Sequence, residues 1–250
     1  MIPKILHYCW FGNKPKPQSF HQCLESWKQF CPDFEIKEWT ESNTKPYQNK
    51  FYTDALRKKK YAFASDCIRV QVLYEMGGIY LDTDMLLLKP IDTLLSLHFF
   101  TGDEVEGRVA YGFFGGYPKH RFFEKMKYFY DHNWFNQFSL PVITHAFSPL
   151  INRQNLVENE QIFTPEHFYA LTYENKGQDF KKYINTNSYA VHLWEHSWSE
   201  TSKDRFDLLK KLKIVLIDYL IYGYPKQYFI RYFRGFSRQL YHLLIGKFKK

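Results

Sequence analysis

Hydrophobic and polar positions follow two periods along the start of the chain, and each period predicts an element. Residues 4–11 form a short apolar run typical of a strand, residues 19–30 carry apolar side chains three to four positions apart, as in a helix, and residues 34–39 alternate as in a half-buried strand. A strand, a helix and a strand in this order form a βαβ unit, which builds parallel sheets. The pattern therefore predicts an α/β fold with a mostly parallel central sheet, whose ligands bind beyond the carboxyl ends of the strands.

A second pattern between residues 62 and 88 is the most specific in the chain. Apolar residues recur at amphipathic helical spacing over 62–76, and Gly77-Gly78 follows, where a helix end needs residues that tolerate positive φ. Residues 79–81 then predict a strand that continues over 85–88. Weaker signals predict strands near 98–101 and 109–114 and a helix over 119–132.

Two carboxylates, Asp82 and Asp84, interrupt this otherwise apolar strand. Residues two apart in a strand point to the same side, so the two side chains are expected to converge. Three interpretations stay open: solvated turn residues after a strand that ends at Leu81, a divalent-metal site, or the nucleophile and acid of a phosphotransferase. The apolar Met85 and Leu86 that follow make the phosphotransferase the weakest of the three.

Asp66 and Arg69 lie three positions apart on the preceding helix, hence on one face. One interpretation is an exposed ion pair that contributes little to stability. The other is that both face the acidic end of the strand and hold a ribose or a phosphate of a ligand.

Shortly before residue 200, an alternating segment predicts a strand that ends at His192. Trp194, Glu195, His196, Ser197 and Trp198 follow closely. A lone histidine in a strand is usually structural, although histidine also accompanies carboxylates around manganese-type ions.

The net charge of +8 belongs to the end of the chain. Residues 201–250 hold 12 Lys and Arg against 3 Asp and Glu, whereas residues 1–200 hold 22 against 23. Because residues 1–200, the body of the protein, are nearly neutral, we do not expect them to bind nucleic acid. The basic residues 201–250 favour contact with an anionic surface.

Composition bounds the class of protein further. Hydrophobic residues make up 45% and charged residues 24%, as in globular proteins, and the 20% of aromatic residues exceeds what a core alone requires. The spacing of the four cysteines matches no zinc motif, and neither a secretory signal nor a run long enough to cross a bilayer is recognisable. We therefore expect free thiols in a cytoplasmic protein.

Residues 201–250 are predicted to form a helical tail, with helices over 206–222 and 226–248 separated by Gly223-Tyr224-Pro225. In the second helix, Arg231, Arg234, Arg238 and His242 share one stripe, and aromatic and aliphatic residues occupy much of the rest. Such a helix either packs on the body or lies in the interface of an anionic membrane. The second alternative predicts a protein peripheral to the inner face of the cytoplasmic membrane.

Taken together, Ala-Ser-Asp-x-x-Arg at 64–69, the Gly-Gly stop, Ile-Tyr-Leu-Asp-Thr-Asp at 79–84 and Lys89-Pro90 resemble the sugar-binding region of the DXD glycosyltransferases of family 32. This family includes yeast-type α-mannosyltransferases and bacterial capsule and lipopolysaccharide transferases, and is more distantly similar to the glucosylating domains of clostridial toxins. The resemblance extends over residues 1–200. It implies a GT-A-like catalytic domain there, with 201–250 as a separate tail.

The resemblance also implies roles for individual residues. Asp82 and Asp84 would hold Mn²⁺ or Mg²⁺, with His192 or Glu195 completing the metal site. Trp10, in Trp-Phe-Gly after the first strand, would stack on the nucleotide base. The remaining donor-binding residues would be Asp66, Arg69, Tyr80, Ser197 and Trp198, the last two touching the β-phosphate.

The function implied is retaining transfer of a hexose from a nucleoside-diphosphate sugar, with a UDP-sugar preferred, to an oligosaccharide or lipid-linked saccharide acceptor in capsule, lipopolysaccharide or exopolysaccharide synthesis. Two alternatives from other classes remain open. One is a non-catalytic peripheral membrane protein with a decayed transferase site, and the other is a metal-dependent phosphatase that uses Asp82.

Overall fold

The computed structural model describes residues 1–135 and 142–195 of the chain. Seven residues of the tail are described as well: Leu212, Leu216, Leu220, Ile230, Phe233, Phe236 and Ser237.

The described part of the chain contains eight strands and six α-helices. The strands are β1 (Ile5–Cys9), β2 (Glu35–Trp39), β3 (Gly78–Leu81), β4 (Met85–Leu87), β5 (Phe99–Val105), β6 (Arg108–Gly116), β7 (Glu160–Phe163) and β8 (Ala190–His192). The α-helices are α1 (Gln18–Phe30), α2 (Lys50–Arg57), α3 (Tyr61–Met76), α4 (Arg121–His132), α5 (Ile143–Ala146) and α6 (Pro165–Phe168). Short 3-10 helices span Lys45–Tyr47, Asp92–Ser96, Arg153–Asn155, Tyr173–Asn175 and Phe180–Lys182.

Six of these strands form one mixed sheet in the order β2-β1-β3-β6-β5-β7. The β2-β1, β1-β3 and β5-β7 pairs are parallel, and the two pairs made by β6 are antiparallel. The βαβ unit predicted from the first 40 residues is the β1-α1-β2 unit of this sheet. The predicted α/β fold with a mostly parallel central sheet is confirmed.

Helix α3 lies at the centre of the protein, and its ten residues from Ala64 to Leu73 are all buried. The helix predicted over 62–76 is confirmed, but its amphipathic character is not, because its middle is buried on every side. Helices α2 and α4 pack against α3. Three polar residues of α3 are buried and find partners inside the protein: Gln71 donates to Asp131 in α4, and Arg69 pairs with Asp66 and donates to the Tyr111 carbonyl in β6.

Two glycines end α3 as predicted, with φ of 65° at Gly77 and 99° at Gly78. Gly78 is required for lack of space as well as for its positive φ, since a Cβ at this position would lie 2.7 Å from the carbonyl oxygen of Ile5. His7 in β1 closes the turn by donating from Nε2 to the Gly77 carbonyl at 2.9 Å. The chain therefore turns sharply from α3 into the centre of the sheet.

Strand β3 ends at Leu81, and the chain does not continue as one strand through the aspartates. Asp82, Thr83 and Asp84 form a turn, closed by a hydrogen bond from the Met85 N–H to the Asp82 carbonyl at 3.0 Å. Strand β4 then pairs with β8 in a separate two-stranded sheet. We predicted that the two carboxylates converge because they alternate along one strand. This cause is wrong, because their positions are set by a turn between two sheets.

The predicted tail falls almost wholly outside the described residues. The seven that are described are helical, and Leu220 among them is 73% exposed. The basic stripe at Arg231, Arg234, Arg238 and His242 lies outside the described residues, so the division into a body and a tail stays a prediction. Among the described helices, none is long and apolar enough to cross a membrane.

Candidate active site

The turn at 82–84 opens into a cleft at the carboxyl ends of β1 and β3, with an empty volume of about 680 Å³ including its mouth. The lining residues are Cys9, Ala62, Ser65, Arg69, Tyr80, Asp82, Thr83, Asp84, His192, Trp194 and Glu195. Four stretches of the chain that are far apart in sequence therefore meet at the acidic pair.

Asp84 is held by two hydrogen bonds that fix both carboxylate oxygens. His192 Nε2 lies 3.0 Å from Oδ1, and the Glu195 N–H donates to Oδ2 at 2.9 Å. Burial by itself raises the pKa of Asp84, but His192 and the Glu195 N–H outweigh it and hold this pKa below its ordinary value. Asp84 is therefore ionised at neutral pH and aimed into the cleft.

His192 reaches Asp84 because β8 pairs antiparallel with β4, in a register that sets it opposite Met85. Burial lowers the pKa of His192, but the charge of Asp84 raises it by more, so the net shift is upward. Its Nδ1 atom is buried and has no hydrogen-bond partner among the described residues. A bound ligand at this ring nitrogen would satisfy an otherwise costly group.

Asp82 pairs with Arg69, whose Nη2 lies 3.1 Å from Oδ1. The same guanidinium contacts Asp66 at 3.2 Å, donates to the Tyr111 carbonyl at 2.8 Å and lies over the Tyr80 ring at 4.3 Å. Burial raises the pKa of Asp82, Arg69 opposes the rise and Asp84 adds to it. The Asp66–Arg69 pair is therefore buried, and the interpretation as an exposed surface pair is wrong.

Asp66 lies behind Arg69 and is not among the residues that line the cleft. Burial raises its pKa to about 7, with the charge of Arg69 opposing the rise. The structure thus brings Arg69 and Tyr80 to the cleft, while Asp66 contacts the site through Arg69. Direct contact of Asp66 with a donor stays a prediction.

Trp10 follows β1 but is 8% exposed and does not line the cleft. Its Nε1 donates to the Lys14 carbonyl at 2.8 Å, and its ring packs against Phe20 at 6.1 Å. Stacking of Trp10 on a nucleotide base stays a prediction. Ser197 and Trp198, the other predicted donor contacts near the end of the body, lie outside the described residues.

Gly112 in β6 is a site residue that the sequence interpretation missed. A Cβ at this position would lie 2.6 Å from Asp82 Oδ2, and the Gly112 carbonyl accepts the Asp82 N–H at 2.7 Å. Only a residue without a side chain lets the Asp82 carboxylate lie here. A glycine inside an apolar strand was the available signal, since such a glycine often marks close approach of another group.

Tyr169 is a second residue without an obvious sequence signal. Its hydroxyl accepts the N–H groups of Gly112 and Phe113, both at 3.1 Å, where the register of β6 shifts against β5. Its ring packs against His192 at a centroid distance of 5.7 Å. Tyr169 therefore joins the strand behind Asp82 to the histidine beside Asp84.

Trp194 lines the cleft with its backbone in the left-handed region, at a φ of 59°. Its Nε1 donates to the Leu171 carbonyl at 2.7 Å, and its ring lies 4.1 Å from the His192 ring. Left-handed backbone at a bulky residue carries strain and concentrates at functional sites. The hydrogen bonds of Asp84 to residues 193 and 195 hold the chain in this conformation.

Asp82, Asp84 and His192 form a candidate divalent-metal site, with one ligand atom from each lying within 4.8 Å of the others. Two carboxylates and an imidazole suit a hard or borderline divalent cation. Of the two interpretations of the third ligand, His192 contributes to this cluster and Glu195 supplies a backbone N–H to Asp84.

Comparison with known proteins shows what this chain resembles. Residues 17–100 match the family model described as the glycosyltransferase sugar-binding region containing DXD motif. Human alpha-1,4-N-acetylglucosaminyltransferase is 27% identical over 153 residues, which cover 53% of this chain and 42% of the human protein. Inositol phosphoceramide mannosyltransferase 1 of Schizosaccharomyces pombe is 24% identical over 221 residues, which cover 82% of this chain and 65% of the yeast protein.

The chain thus spans less than two thirds of the length of either curated relative. A solved structure of the PaToxG glycosyltransferase aligns with a TM-score of 0.43 and 19% identity, covering 50% of this chain and 58% of that one. The resemblance inferred from the sequence is confirmed by the family model and the curated relatives, and this chain is a relative of the DXD-containing glycosyltransferases.

Proposed function

We propose that this relative of the DXD-containing glycosyltransferases moves a hexose from a nucleoside-diphosphate sugar to a saccharide acceptor, in a reaction that depends on Mn²⁺ or Mg²⁺. The observation that carries the proposal is the convergence of Asp82, Asp84 and His192 in one cleft. The carboxylates belong to the segment that matches the sugar-binding region.

The residues present fit a divalent cation. Asp82 and Asp84 supply oxygen ligands, and the buried Nδ1 of His192 lacks a partner among the described residues. Bound there, the cation would neutralise charge on the diphosphate and so improve it as a leaving group. A metal-binding role also explains why two carboxylates lie so close in a largely buried place, where they otherwise repel.

The surrounding groups set the orientation of these ligands. Arg69 fixes Asp82 through a short contact and is itself fixed by Asp66 and by the Tyr111 carbonyl. The Glu195 N–H fixes Asp84. Orienting contacts of this kind tune the affinity of metal ligands, and their removal typically costs 10- to roughly 100-fold.

We propose retention at the anomeric carbon, by attack of the acceptor on the face that the leaving group departs from. Three lining residues that could act as nucleophiles, Cys9, Asp82 and Asp84, are protonated or otherwise engaged, which favours a route without an enzymic nucleophile. Burial raises the pKa of the Cys9 thiol to about 12, so this thiol is protonated at neutral pH. Asp82 and Asp84 are already engaged by Arg69, by His192 and by the Glu195 N–H.

For the substrates, we propose a UDP-hexose donor and an oligosaccharide or lipid-linked saccharide acceptor. The names of the two relatives include an N-acetylglucosaminyltransferase and a mannosyltransferase of inositol phosphoceramide, so the family accommodates different sugars and a lipid acceptor. Synthesis of capsule, lipopolysaccharide or exopolysaccharide at the inner face of the cytoplasmic membrane is the proposed setting, with the basic tail of residues 201–250 contacting anionic lipid.

The proposal is tested by donor hydrolysis across a panel of UDP- and GDP-sugars, with Mn²⁺, with Mg²⁺ and then with EDTA. Turnover of one donor that disappears with EDTA is the expected result, and it names the sugar. Absence of turnover across the panel, together with absence of nucleotide binding by calorimetry, would contradict the proposal.

A further inference from the structure

Trp194 lines the cleft, and the proposed function gives it no role. Its ring packs against the His192 ring at a centroid distance of 4.1 Å and is anchored by the hydrogen bond from Nε1 to the Leu171 carbonyl. The residues proposed to bind the donor belong to other elements, since Arg69 lies in α3 and Tyr80 in β3. A large aromatic ring beside the candidate metal site is therefore left for another purpose.

A second aromatic ring, that of Tyr173, extends this wall outward. The Tyr173 ring packs against the Trp194 ring at a centroid distance of 5.7 Å and an interplanar angle of 83°. Tyr173 is 43% exposed, whereas Trp194 is half-buried. The two rings therefore lead from the cleft to the surface of the protein.

The same stretch of chain holds both rings. Tyr173 begins a 3-10 helix that ends at Asn175, and the Asn175 side chain donates to Thr172 Oγ1 at 3.0 Å. Leu171, whose carbonyl anchors the indole of Trp194, lies two positions before Tyr173. This stretch therefore sets the position of one ring relative to the other.

Polar side chains of both signs surround the exposed ring. Lys176 Nζ donates to Tyr173 Oη at 3.0 Å and lies 4.3 Å from the centre of the ring. Glu174, the residue after Tyr173, is exposed, as is Lys176. An aromatic ring beside one positive and one negative side chain suits an uncharged ligand rich in hydroxyl groups better than a phosphate.

Saccharides combine the two kinds of surface that this arrangement matches. The C–H groups on one face of a hexose are apolar and pack flat on an aromatic ring, whereas the hydroxyl groups at its rim bind polar and charged side chains. A saccharide that follows the two rings would enter from the surface at Tyr173 and end at Trp194, beside His192.

We propose that Trp194 and Tyr173 form the platform for the saccharide acceptor, with Trp194 contacting its terminal sugar and Tyr173 the next unit outward. Position carries the assignment, because the platform begins beside His192 of the candidate metal site, where the donor diphosphate would bind, and ends at an exposed ring. The inference rests on the proposed transfer reaction and names the residues that hold its second substrate.

The test is saturation-transfer NMR of the full chain with methyl glycosides of glucose, galactose and mannose and with those of maltose, lactose and mannobiose. Wild-type protein is expected to bind at least one disaccharide of this panel. Tyr173→Ala is expected to weaken that binding by about 10-fold, the order of magnitude of one lost aromatic contact. Binding of the corresponding monosaccharide should change less, because a single sugar contacts Trp194, and Tyr173→Phe, which keeps the ring, should retain most of the affinity.

The matched control is Tyr128→Ala, which removes another exposed tyrosine, in α4. It is expected to bind the glycosides as wild type does. Equal losses in Tyr173→Ala and Tyr128→Ala, wild-type affinity for the disaccharide in Tyr173→Ala, or wild-type protein that binds no glycoside of the panel would overturn the proposal. Thermal unfolding establishes that each variant is folded before its affinity is compared.

Calorimetry of UDP binding with Mn²⁺ separates an acceptor site from a donor site. Tyr173→Ala is expected to bind UDP as wild type does, because the ring lies outside the group of candidate metal ligands. A loss of UDP affinity as large as the loss of disaccharide affinity would assign the ring to the donor and overturn the acceptor platform. Glycoside binding is measured without donor, so failure of the platform is distinguishable from failure of the proposed transfer, which donor hydrolysis reports.

Discussion

Asp84 and His192 are 108 residues apart in sequence, yet His192 Nε2 lies 3.0 Å from Asp84 Oδ1. The contact exists because β4 leaves the central sheet after the turn at 82–84 and pairs with β8 instead. The two-stranded sheet thus carries one carboxylate and one imidazole of the candidate metal site on adjacent strands. Its pairing sets the distance between them.

Replacing Asp84 is expected to remove metal-dependent activity while leaving the fold intact. Asp84→Asn keeps the shape of the side chain and an acceptor for the Glu195 N–H, but it removes the charge that attracts a cation. We expect donor turnover to fall by more than about 100-fold, beyond the effect of losing an orienting contact alone. Turnover and manganese binding are measured beside Asp33→Asn, a change at an exposed residue. Wild-type turnover in Asp84→Asn would disprove the metal assignment.

Gly112→Ala is expected to displace Asp82 without straining the backbone. The new Cβ would lie 2.6 Å from Asp82 Oδ2, so the carboxylate must move away from Arg69 or from the metal position. We expect manganese affinity to fall by at least about 10-fold, the lower bound for disturbing the surroundings of a ligand. Titration with Mn²⁺ in the presence of a donor nucleotide measures it.

Gly102→Ala is the control for a steric clash of the same size that does not involve Asp82. Its Cβ would lie 2.6 Å from the ring of Phe168 in the core, so it is expected to lower the unfolding temperature and spare metal affinity. If both alanine variants reduce manganese affinity equally, the loss in Gly112→Ala reflects general destabilisation. The proposal that Gly112 makes room for the Asp82 carboxylate at the metal site would then be wrong.

The sequence predicted those parts of the fold that rest on local patterns. The β1-α1-β2 unit, the stop at Gly77 and Gly78 and the strand ending at His192 follow from period and from residue type, and the structure has them. Burial of α3 on all sides did not follow, because the apolar spacing of a helix does not reveal that two further helices pack against it. Of the two interpretations of the Asp66–Arg69 pair, the exposed ion pair is wrong, whereas Arg69 faces the acidic turn as the other interpretation predicted.

For the site, the sequence predicted which residues carry charge but not what joins them. The sequence left open whether Asp82 and Asp84 interrupt one strand or follow a strand that ends at Leu81, and the structure has the second, with a turn at 82–84. The pairing of β4 with β8 and the hydroxyl of Tyr169 behind Gly112 depend on contacts between distant segments. Non-local contacts of this kind leave no periodic signal. Stacking of Trp10 on a base stays a prediction that rests on the motif alone, because its ring lies in a core cluster beside Phe20.

Arg69→Lys is expected to separate charge from geometry at the second carboxylate. Lysine keeps the positive charge near Asp82 but cannot contact Asp66, Asp82 and the Tyr111 carbonyl together, as the fork of the guanidinium does. We expect a loss of about 1–3 kcal/mol in the free energy of unfolding, as for buried groups left without a hydrogen bond. Manganese affinity should fall as well. Urea unfolding and metal titration are compared with Arg57→Lys, an exposed pair with Asp54, and wild-type metal affinity in Arg69→Lys would contradict the orienting role.

The pH dependence of stability tests the role of His7 at the turn between α3 and β3, the strand that leads to the site. Its Nδ1 accepts from the Trp39 Nε1–H at 3.1 Å, so the folded protein requires the neutral ring. Burial lowers the pKa of His7 to about 4 from the ordinary 6.5. Because the unfolded chain takes up this proton first, the contribution of His7 to stability is complete above about pH 6.5 and is lost progressively as the pH falls towards 4.

The whole-protein pH profile does not isolate this effect, since Asp66, with a pKa raised to about 7, contributes in the opposite direction over the same range. The comparison is therefore between wild type and His7→Gln by urea unfolding from about pH 5 to 8, spanning the ordinary histidine pKa. At high pH the variant should be less stable by about 1 kcal/mol, the typical worth of a hydrogen bond, and the gap should narrow as the pH falls. The control is His21→Gln, at an exposed histidine, and its free energy of unfolding should depend on pH as that of wild type does. A constant gap for His7→Gln would show that His7 is not held neutral by the fold.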